Sequence, residues 1–385
     1  MILDDATIGL RLQLARKELG LTQGDVGKQL RLATTTVSEI EAGKRSVSGP
    51  ELHQFARVYH RPLAFFFDDE PAESPGFAYL FREADPSILD RASIVLFHQL
   101  VNDYTSIEEL GEVAPLPSPP DYSQFGFRTE QDAESLADME RGRLGLGEAP
   151  LRDLMDLLDG IVGIKTFLVP VEQQSWSGMV VHDKSGRPCI AVNAKEESYR
   201  RNFTLAHEYG HVLVHLAGQG VPLARIDKAI DLVQRSADET FVNAFASAFL
   251  MPRRAVLTRL EGVLGVNGGQ FTDSDLVHLA MQFGVSGQAL SSRLVTLRKL
   301  PRHVHDDYWK GRSFKSLAQA LGYKVEDWSP GLVLPNRFRY LALKAFEESR
   351  ISLAKLAELL RENYYELSER LRSGGCIWAE AGTNG

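Results

Sequence analysis

Between residues 7 and 67, apolar positions recur at helical spacing. Leu10, Leu14, Leu19, Leu21, Val26, Leu30, Val37, Ile40, Leu52, Phe55, Ala56 and Tyr59 form the expected core. Gly20, Gly43 and Gly49-Pro50 break the pattern, which predicts a compact bundle of about five short helices. A connecting stretch follows over Asp68 to Gly76, then a helix around Ser87 to Val113. Pro115-Leu116-Pro117-Ser118-Pro119-Pro120 cannot be helical and reads as a linker. Beyond it the spacing predicts helices over 128–146 and 151–159, strands over Gly163–Val169 and Gly178–Asn193 with a turn at Asp183–Pro188, and a helix from Tyr199 to Leu216. Most of the rest is helical, and no repeat of solenoid period is present. Two later stretches, Leu276–Leu297 and Ile351–Leu371, share a helix-turn-helix cadence. The expected fold is mainly α with a small β-sheet (α+β). Its expected parts are a helix-turn-helix domain at 1–67, a helical connector and linker at 68–120, a metal-binding domain at 121–260 and a helical region at 261–385.

The predicted helix from Tyr199 contains His207-Glu208-x-x-His211. Histidines four apart share one helix face and can converge on one zinc ion. Glu208, one position off that pair, stands where a general base acting on water is needed. The motif also arises by chance, so a third ligand is required, and Glu239 on the next acidic helix supplies it. Asn243, one turn later, is placed to orient a ligand by hydrogen bonding. Three protein ligands leave a position open, as catalysis requires; Mn2+ is the alternative ion. His215 lies about 80 degrees off the ligand face and about 12 Å from His207 along the helix, and reads as packing. His303-Val-His305-Asp-Asp reads as a solvated loop. The strand Ser177–Val181 is either an edge that pairs with an extended substrate or an ordinary sheet strand. Sequence names no oxyanion stabiliser; Tyr199, Arg200 and Arg201 are near in the chain but weakly motivated.

The run Arg200 to His215, followed by ExxxNxFAxxxLMP from Glu239 to Pro252, resembles the ImmA/IrrE group of bacterial and phage metallopeptidases. Similarity extends to Ala133–Pro150 and Ser177–Asn193, about half the chain. The resemblance implies a gluzincin-like zinc endopeptidase that cleaves a helix-turn-helix repressor or antitoxin. His207, His211 and Glu239 match its metal ligands and Glu208 its catalytic glutamate. Tyr209 and Val242 depart from the common residues, and are expected to reshape the substrate cleft without disturbing the ligands.

Leu21 to Arg45 reads as two short helices around a tight turn. Thr22 caps the first and sets Gln23 beside a DNA phosphate. The second, about Thr34 to Ala42, offers Thr34, Thr35, Thr36 and Ser38 to bases or phosphates, with Lys44 and Arg45 neutralising the backbone. Through LTQxxVxxxL, TTVSxIExGKR and PxLxxFAxxY this stretch resembles the Cro/lambda-repressor-like (XRE) family. Gly24 and Gly27 are expected to weaken the first helix by about 1 kcal/mol each. Readers of this kind bind paired half-sites, so a homodimer is expected. The two later helix-turn-helix stretches are read as packing or partner docking.

Charge sharpens this picture. The 385-residue chain carries a net charge of -8, against nucleic acid coating its whole surface. Residues 1–62 alone hold nine Lys/Arg against seven Asp/Glu, a locally basic module on an acidic body. Two distant cysteines, Cys189 and Cys376, make no redox or thiolate-metal spacing. With neither an apolar leader nor an apolar run long enough for a membrane, a cytoplasmic location is expected. The function expected is cleavage of a regulatory protein by a DNA-tethered peptidase, under stress or prophage control. The alternatives are a non-hydrolytic regulator or antitoxin that senses through the same domain, or self-cleavage that releases the N-terminal module.

Overall fold

A computed structural model describes residues 4–374, apart from 60, 62, 68–89, 115, 128, 152, 173–174, 217–224, 228–236, 267–270 and 324–330. The connecting stretch at 68–76, the side chain of His215, and Cys376 lie outside the described residues.

The N-terminal bundle comprises α1 (Asp5–Glu18), α2 (Gln23–Leu30), α3 (Thr34–Glu41), α4 (Gly49–Val58) and a 3-10 turn at Leu63–Phe66. Thr22 and Asp25, like Ser48 and Glu51, form reciprocal capping boxes that start α2 and α4. The face of α1 differs from the expected one: Leu10 is 64% exposed, whereas Leu12 and Ala15 are buried. Charged residues account for the shift. Arg16 and Glu18 are buried in ion pairs with Glu41 and Arg61, which disguises the apolar period. Gly9 permits α1 to cross α3 closely, since a Cβ there would stand 2.8 Å from Glu41 O and closer still to Ile40 O. Gly27 has a similar purpose. A Cβ would lie 2.7 Å from Leu32 O, so its cost in helix propensity comes with the tight turn.

The body starts at α5 (Arg91–Leu110), whose Arg91 guanidinium donates to Glu18 O of the bundle at 3.1 Å. Next come α6 (Glu130–Arg143), β1 (Lys165–Val169), β2 (Gly178–His182), β3 (Pro188–Asn193), α7 (Ser198–His211), β4 (Arg225–Asp227) and α8 (Ala237–Leu250). The strands form one sheet in the order β1-β3-β2-β4, with β1 parallel to β3 and the other pairs antiparallel. Its strands are buried without alternation because both faces are covered. Leu168, Val180, Ile190 and Val192 face a core shared with α6, α7 and α8. Phe167, Val169, Met179, Val181, Cys189 and Ala191 face a second core shared with α5 and the C-terminal helices α13 (Asn336–Glu347), α14 (Leu353–Leu360) and α15 (Tyr364–Ser373). The connector helix and the C-terminal region thus complete the sheet.

Between them lie α9 (Arg253–Val266), α10 (Asp273–Phe283), α11 (Gly287–Thr296) and α12 (Arg302–Trp309). The expected loop at 303–307 is helical, because His305 Nδ1 meets Ser291 Oγ at 2.8 Å and Trp309 Nε1 donates to the same oxygen at 2.8 Å. The proline run is pinned as well: Leu116 O accepts from Arg187, and Gly163, at φ 85°, leaves room for Pro117 O.

Candidate metal centre and nucleic-acid interface

α7 carries His207 and His211 on one buried face, and a wide π-type turn over Val212–Leu216 ends it. α8 crosses α7 at Gly210, where a Cβ would lie 2.9 Å from Phe245. That close crossing carries Glu239 to the histidines. His211 Nε2 and His207 Nε2 are 3.1 Å apart, and Glu239 lies 3.4 Å from the first ring met, His207, and 3.5 Å from His211. Tetrahedral zinc with bonds of about 2.1 Å would set its donors about 3.4 Å apart. All three donor atoms lie within 4.8 Å of one another, so the residues present fit such an ion. Asn243 Oδ1 stands 3.2 Å from His207 Nδ1. With the proton on Nδ1, the Nε2 lone pair faces the other two donors.

Glu208 is fully buried, one residue from the first histidine. Its carboxylate lies directly on the backbone of Gly178 in β2, where a Cβ would collide with Glu208 Oε1 and stand 2.7 Å from Thr204 Cγ2. Sequence reading passed over Gly178, although a glycine inside an apolar strand signals such a close approach. It also missed Glu140. This fully buried carboxylate accepts from the Tyr209 and Tyr122 hydroxyls and bidentately from Arg143, bracing α7 from behind. Tyr209 therefore faces the core, between Phe245 and Phe249, and Val242 packs at Gly210; neither shapes a cleft in the expected way. Burial, with Glu140 alongside, pushes the Tyr209 hydroxyl's pKa well up.

Strand β2 is not an open edge over Gly178–Val180, since β3 lies on one side and β4 pairs on the other. Tyr199 packs edge-on against Phe314, Arg201 donates to Ala194 O and Glu196 O, and Arg200 reaches Glu197 at 3.6 Å.

In the N-terminal bundle, Thr34, Thr35, Ser38 and Lys44 are exposed along and just after α3. Thr36 is half-buried. Arg45 is half-buried and pairs with Glu51 at 2.8 Å. Gln23 is not left facing outward as a phosphate contact: its amide donates to Glu41 at 2.9 Å, beside the bidentate Arg16 pair at 2.6 and 2.9 Å. The second helix-turn-helix pair, α10 and α11, differs. Buried Arg293 ties α11 to Glu134 and Met251 O, and Trp309 and Phe314 close over Gly287. Packing occupies its would-be reading face.

Residues 7–64 match the family model of a helix-turn-helix domain, and residues 160–295 that of the IrrE N-terminal-like domain, Peptidase_M78. Uncharacterized HTH-type transcriptional regulators of Sinorhizobium medicae and Rhizobium meliloti are each 29% identical over 83 residues, 22% of this chain and 60% of theirs. The radiation response metalloprotease IrrE of Deinococcus radiodurans is 28% identical over 152 residues, 38% of this chain and 44% of that protein. Matches thus span from under half to about three fifths of these relatives' lengths. Among solved structures, Bacillus thuringiensis PlcR in complex with the peptide PapR7 and DNA aligns over 99% of this chain at 10% identity, but its TM-score of 0.17 carries no argument. No described helix is long and apolar enough to cross a membrane. The chain joins a helix-turn-helix domain to an IrrE N-terminal-like domain of the Peptidase_M78 family.

Proposed function

We propose that this protein is a DNA-tethered zinc endopeptidase that cuts a regulatory protein, a repressor or antitoxin, and so changes transcription. The observation that carries this reading is the convergence of His207, His211 and Glu239 at 3.1 to 3.5 Å, with buried Glu208 adjacent to His207 in the chain. In it, the three side chains hold the ion, Asn243 fixes the His207 ring, and Glu208 is the general base. Bound zinc would supply Lewis acidity, polarising the scissile carbonyl and easing deprotonation of water near neutral pH. Glu208 takes the proton of the attacking water and returns it to the leaving amine. Its seat against Gly178 restricts the carboxylate's position, so little reorganisation is needed during the step. Thr34, Thr35, Thr36 and Ser38 read DNA, Lys44 and Arg45 neutralise phosphates, and two chains bind paired half-sites.

The complete burial of Glu208 and His211 favours a second reading, a sensor that binds metal or partner without hydrolysis. Purified chain, with zinc or with chelator, is to be incubated with recombinant repressors or antitoxins encoded beside its gene and resolved on denaturing gels. Zinc-dependent fragments are expected, and Glu208→Gln should lower their rate by about 10²–10⁴-fold while keeping one zinc per chain. Equal cleavage by Glu208→Gln rejects the mechanism; absence of any fragment favours the sensor. Fragments of the chain itself would reveal self-cleavage.

A further inference from the structure

The last three described helices repeat the first three. Shifted by 330 residues, the distance from Thr22 to Ser352, α13, α14 and α15 fall on α1, α2 and α3. Buried Arg11, Leu12 and Ala15 of α1 correspond to buried Leu341, Ala342 and Ala345 of α13, and exposed Leu10 corresponds to exposed Tyr340. Val26 of α2 and Val37 of α3 correspond to Leu356 and Leu367, all four buried. Thr22 Oγ1 accepts from Asp25 N at 3.1 Å, and Ser352 Oγ accepts from Lys355 N at 3.2 Å, so the second helix of each set starts on the same cap.

The connecting turns agree in backbone. Arg31 lies at φ 56° and ψ 40°, Arg361 at φ 57° and ψ 35°. A non-glycine residue holds such left-handed values only where its surroundings impose them. Leu32 N donates to Gly27 O at 2.8 Å, and Glu362 N donates to Ala357 O at 3.0 Å. Two residues after each arginine stands the cap of the third helix, Ala33 or Asn363. α13–α15 thus rebuild the three-helix frame of the N-terminal bundle, whose residues 7–64 match a helix-turn-helix domain.

α10 and α11 share the turn, with Gly284 at φ 64° and ψ 35°, but Trp309 and Phe314 close over Gly287. The start of α15 is open instead. Tyr364, Tyr365, Glu366, Glu369, Arg370 and Arg372 are exposed, Tyr365 at 77%. The inner side of the frame is fastened to α5: Arg361 donates to Asp103 at 2.7 Å and Arg350 to Leu110 O at 2.6 Å. Residues 336–374 hold eight Lys/Arg against six Asp/Glu, the same excess as residues 1–62, in a chain of net charge -8. A locally basic frame on an acidic body suits a polyanion. Glu369 does not argue against one, since it stands at the position of Glu39, exposed on α3.

We propose that α15 is a second DNA-recognition helix, which binds duplex DNA of a sequence different from that read by α3. Tyr364 and Tyr365 bring hydroxyls to phosphates or base edges, and Glu366 accepts from a cytosine amine. Arg370 is held by Glu362, so Arg372 is the cation that neutralises a phosphate. The proposal stands apart from the endopeptidase reading and does not require the DNA contacts of α3.

The test uses the full-length chain and selection from a random pool of duplex DNA, followed by fluorescence anisotropy on the selected duplexes. Wild type should enrich duplexes carrying two unlike sequence elements, whereas a dimer reading through α3 alone would enrich two copies of one element. Tyr365→Ala should remove one element and weaken binding to the two-element duplex by about tenfold, and Thr35→Asp should remove the other. Arg372→Ala should lower the slope of log K against log salt by about 1. Circular dichroism separates these losses from misfolding, and Arg372→Ala decides alone should Tyr365→Ala unfold. Selection of one kind of element or of none by wild type overturns the second reader. An element set and salt slope unchanged in both α15 variants also overturns it, and would leave α15 as a surface for protein.

Discussion

Where α7 meets α8 the chemistry-bearing side chains turn inward and meet one another; where α2 meets α3, Thr34, Thr35 and Ser38 turn outward and are exposed. The two crossings share a construction. Each depends on a glycine that lets backbones approach, Gly210 in one and Gly27 in the other, and each is braced by a buried carboxylate, Glu140 or Glu41. What differs is the direction of the remaining side chains. The inward pair needs donors within a few tenths of an ångström, so its neighbours are fixed by packing. The outward pair offers Thr34, Thr35 and Ser38 to a partner that supplies the other half of the geometry. A third crossing, α10 with α11, shows that helix-turn-helix cadence alone decides neither outcome, because α12 and the helix at Phe314–Ala320 cover what the cadence would expose.

The comparison can be broken at the braces. Arg16→Ala should have the largest effect: it strips the bidentate partner from buried Glu41, a change that costs about 3–5 kcal/mol. Urea unfolding followed by circular dichroism should show an early transition for the N-terminal bundle, with zinc content of the body unchanged. One merged, unshifted transition would mean that Glu41 does not brace α3 as described. Next in size is Gly178→Ala, whose methyl group must displace Glu208. We expect hydrolysis to fall by about 10²-fold, the scale of a misplaced general base, with zinc still bound; unaltered kcat would show that the strand does not set the carboxylate's position. Tyr209→Phe removes one donor from Glu140 and should cost about 1–3 kcal/mol in thermal unfolding of the body, with zinc dissociation following the loss of α7's support. The smallest effect belongs to the outward pair. Lys44→Ala should weaken operator binding only several-fold and lower the slope of log K against log salt by about 1. Arg45→Ala should do less, since Glu51 already holds that guanidinium; the reverse order would reassign the phosphate contact.

Much of this arrangement is written in local pattern. Histidines four apart, an acid on the following helix, a Thr cap with Asp three later and continuous apolar strands each follow from one element's own geometry, and the fold class follows from them. The parts that escape sequence reading involve two distant segments. Leu10 looks like core until Arg16 and Glu18 prove to be buried against Glu41 and Arg61, partners 25 and 43 residues away. The 303–307 stretch looks like a loop until Ser291 is brought under His305; it is solvated as expected, but helical. Strand β2 resembles a possible edge until β4 pairs with it. Gly178 carries no side chain at all, so its meaning appears only when Glu208 is laid against it. Periodicity describes which face of an element is wet, and a buried charge reverses that reading without leaving a trace in its own neighbourhood.

The proline run acts as a strut. Leu116 O is held by Arg187, Pro117 O is set over Gly163 and Tyr122 is bonded to Leu213 O, so residues 116–122 are fastened to the body at three points. The segment between α5 and the candidate metal centre is therefore held as a bracket rather than as a leash. Lengthening or shortening residues 116–121 would alter that bracket, and with it the placement of the helix that carries His207 and His211 against α5.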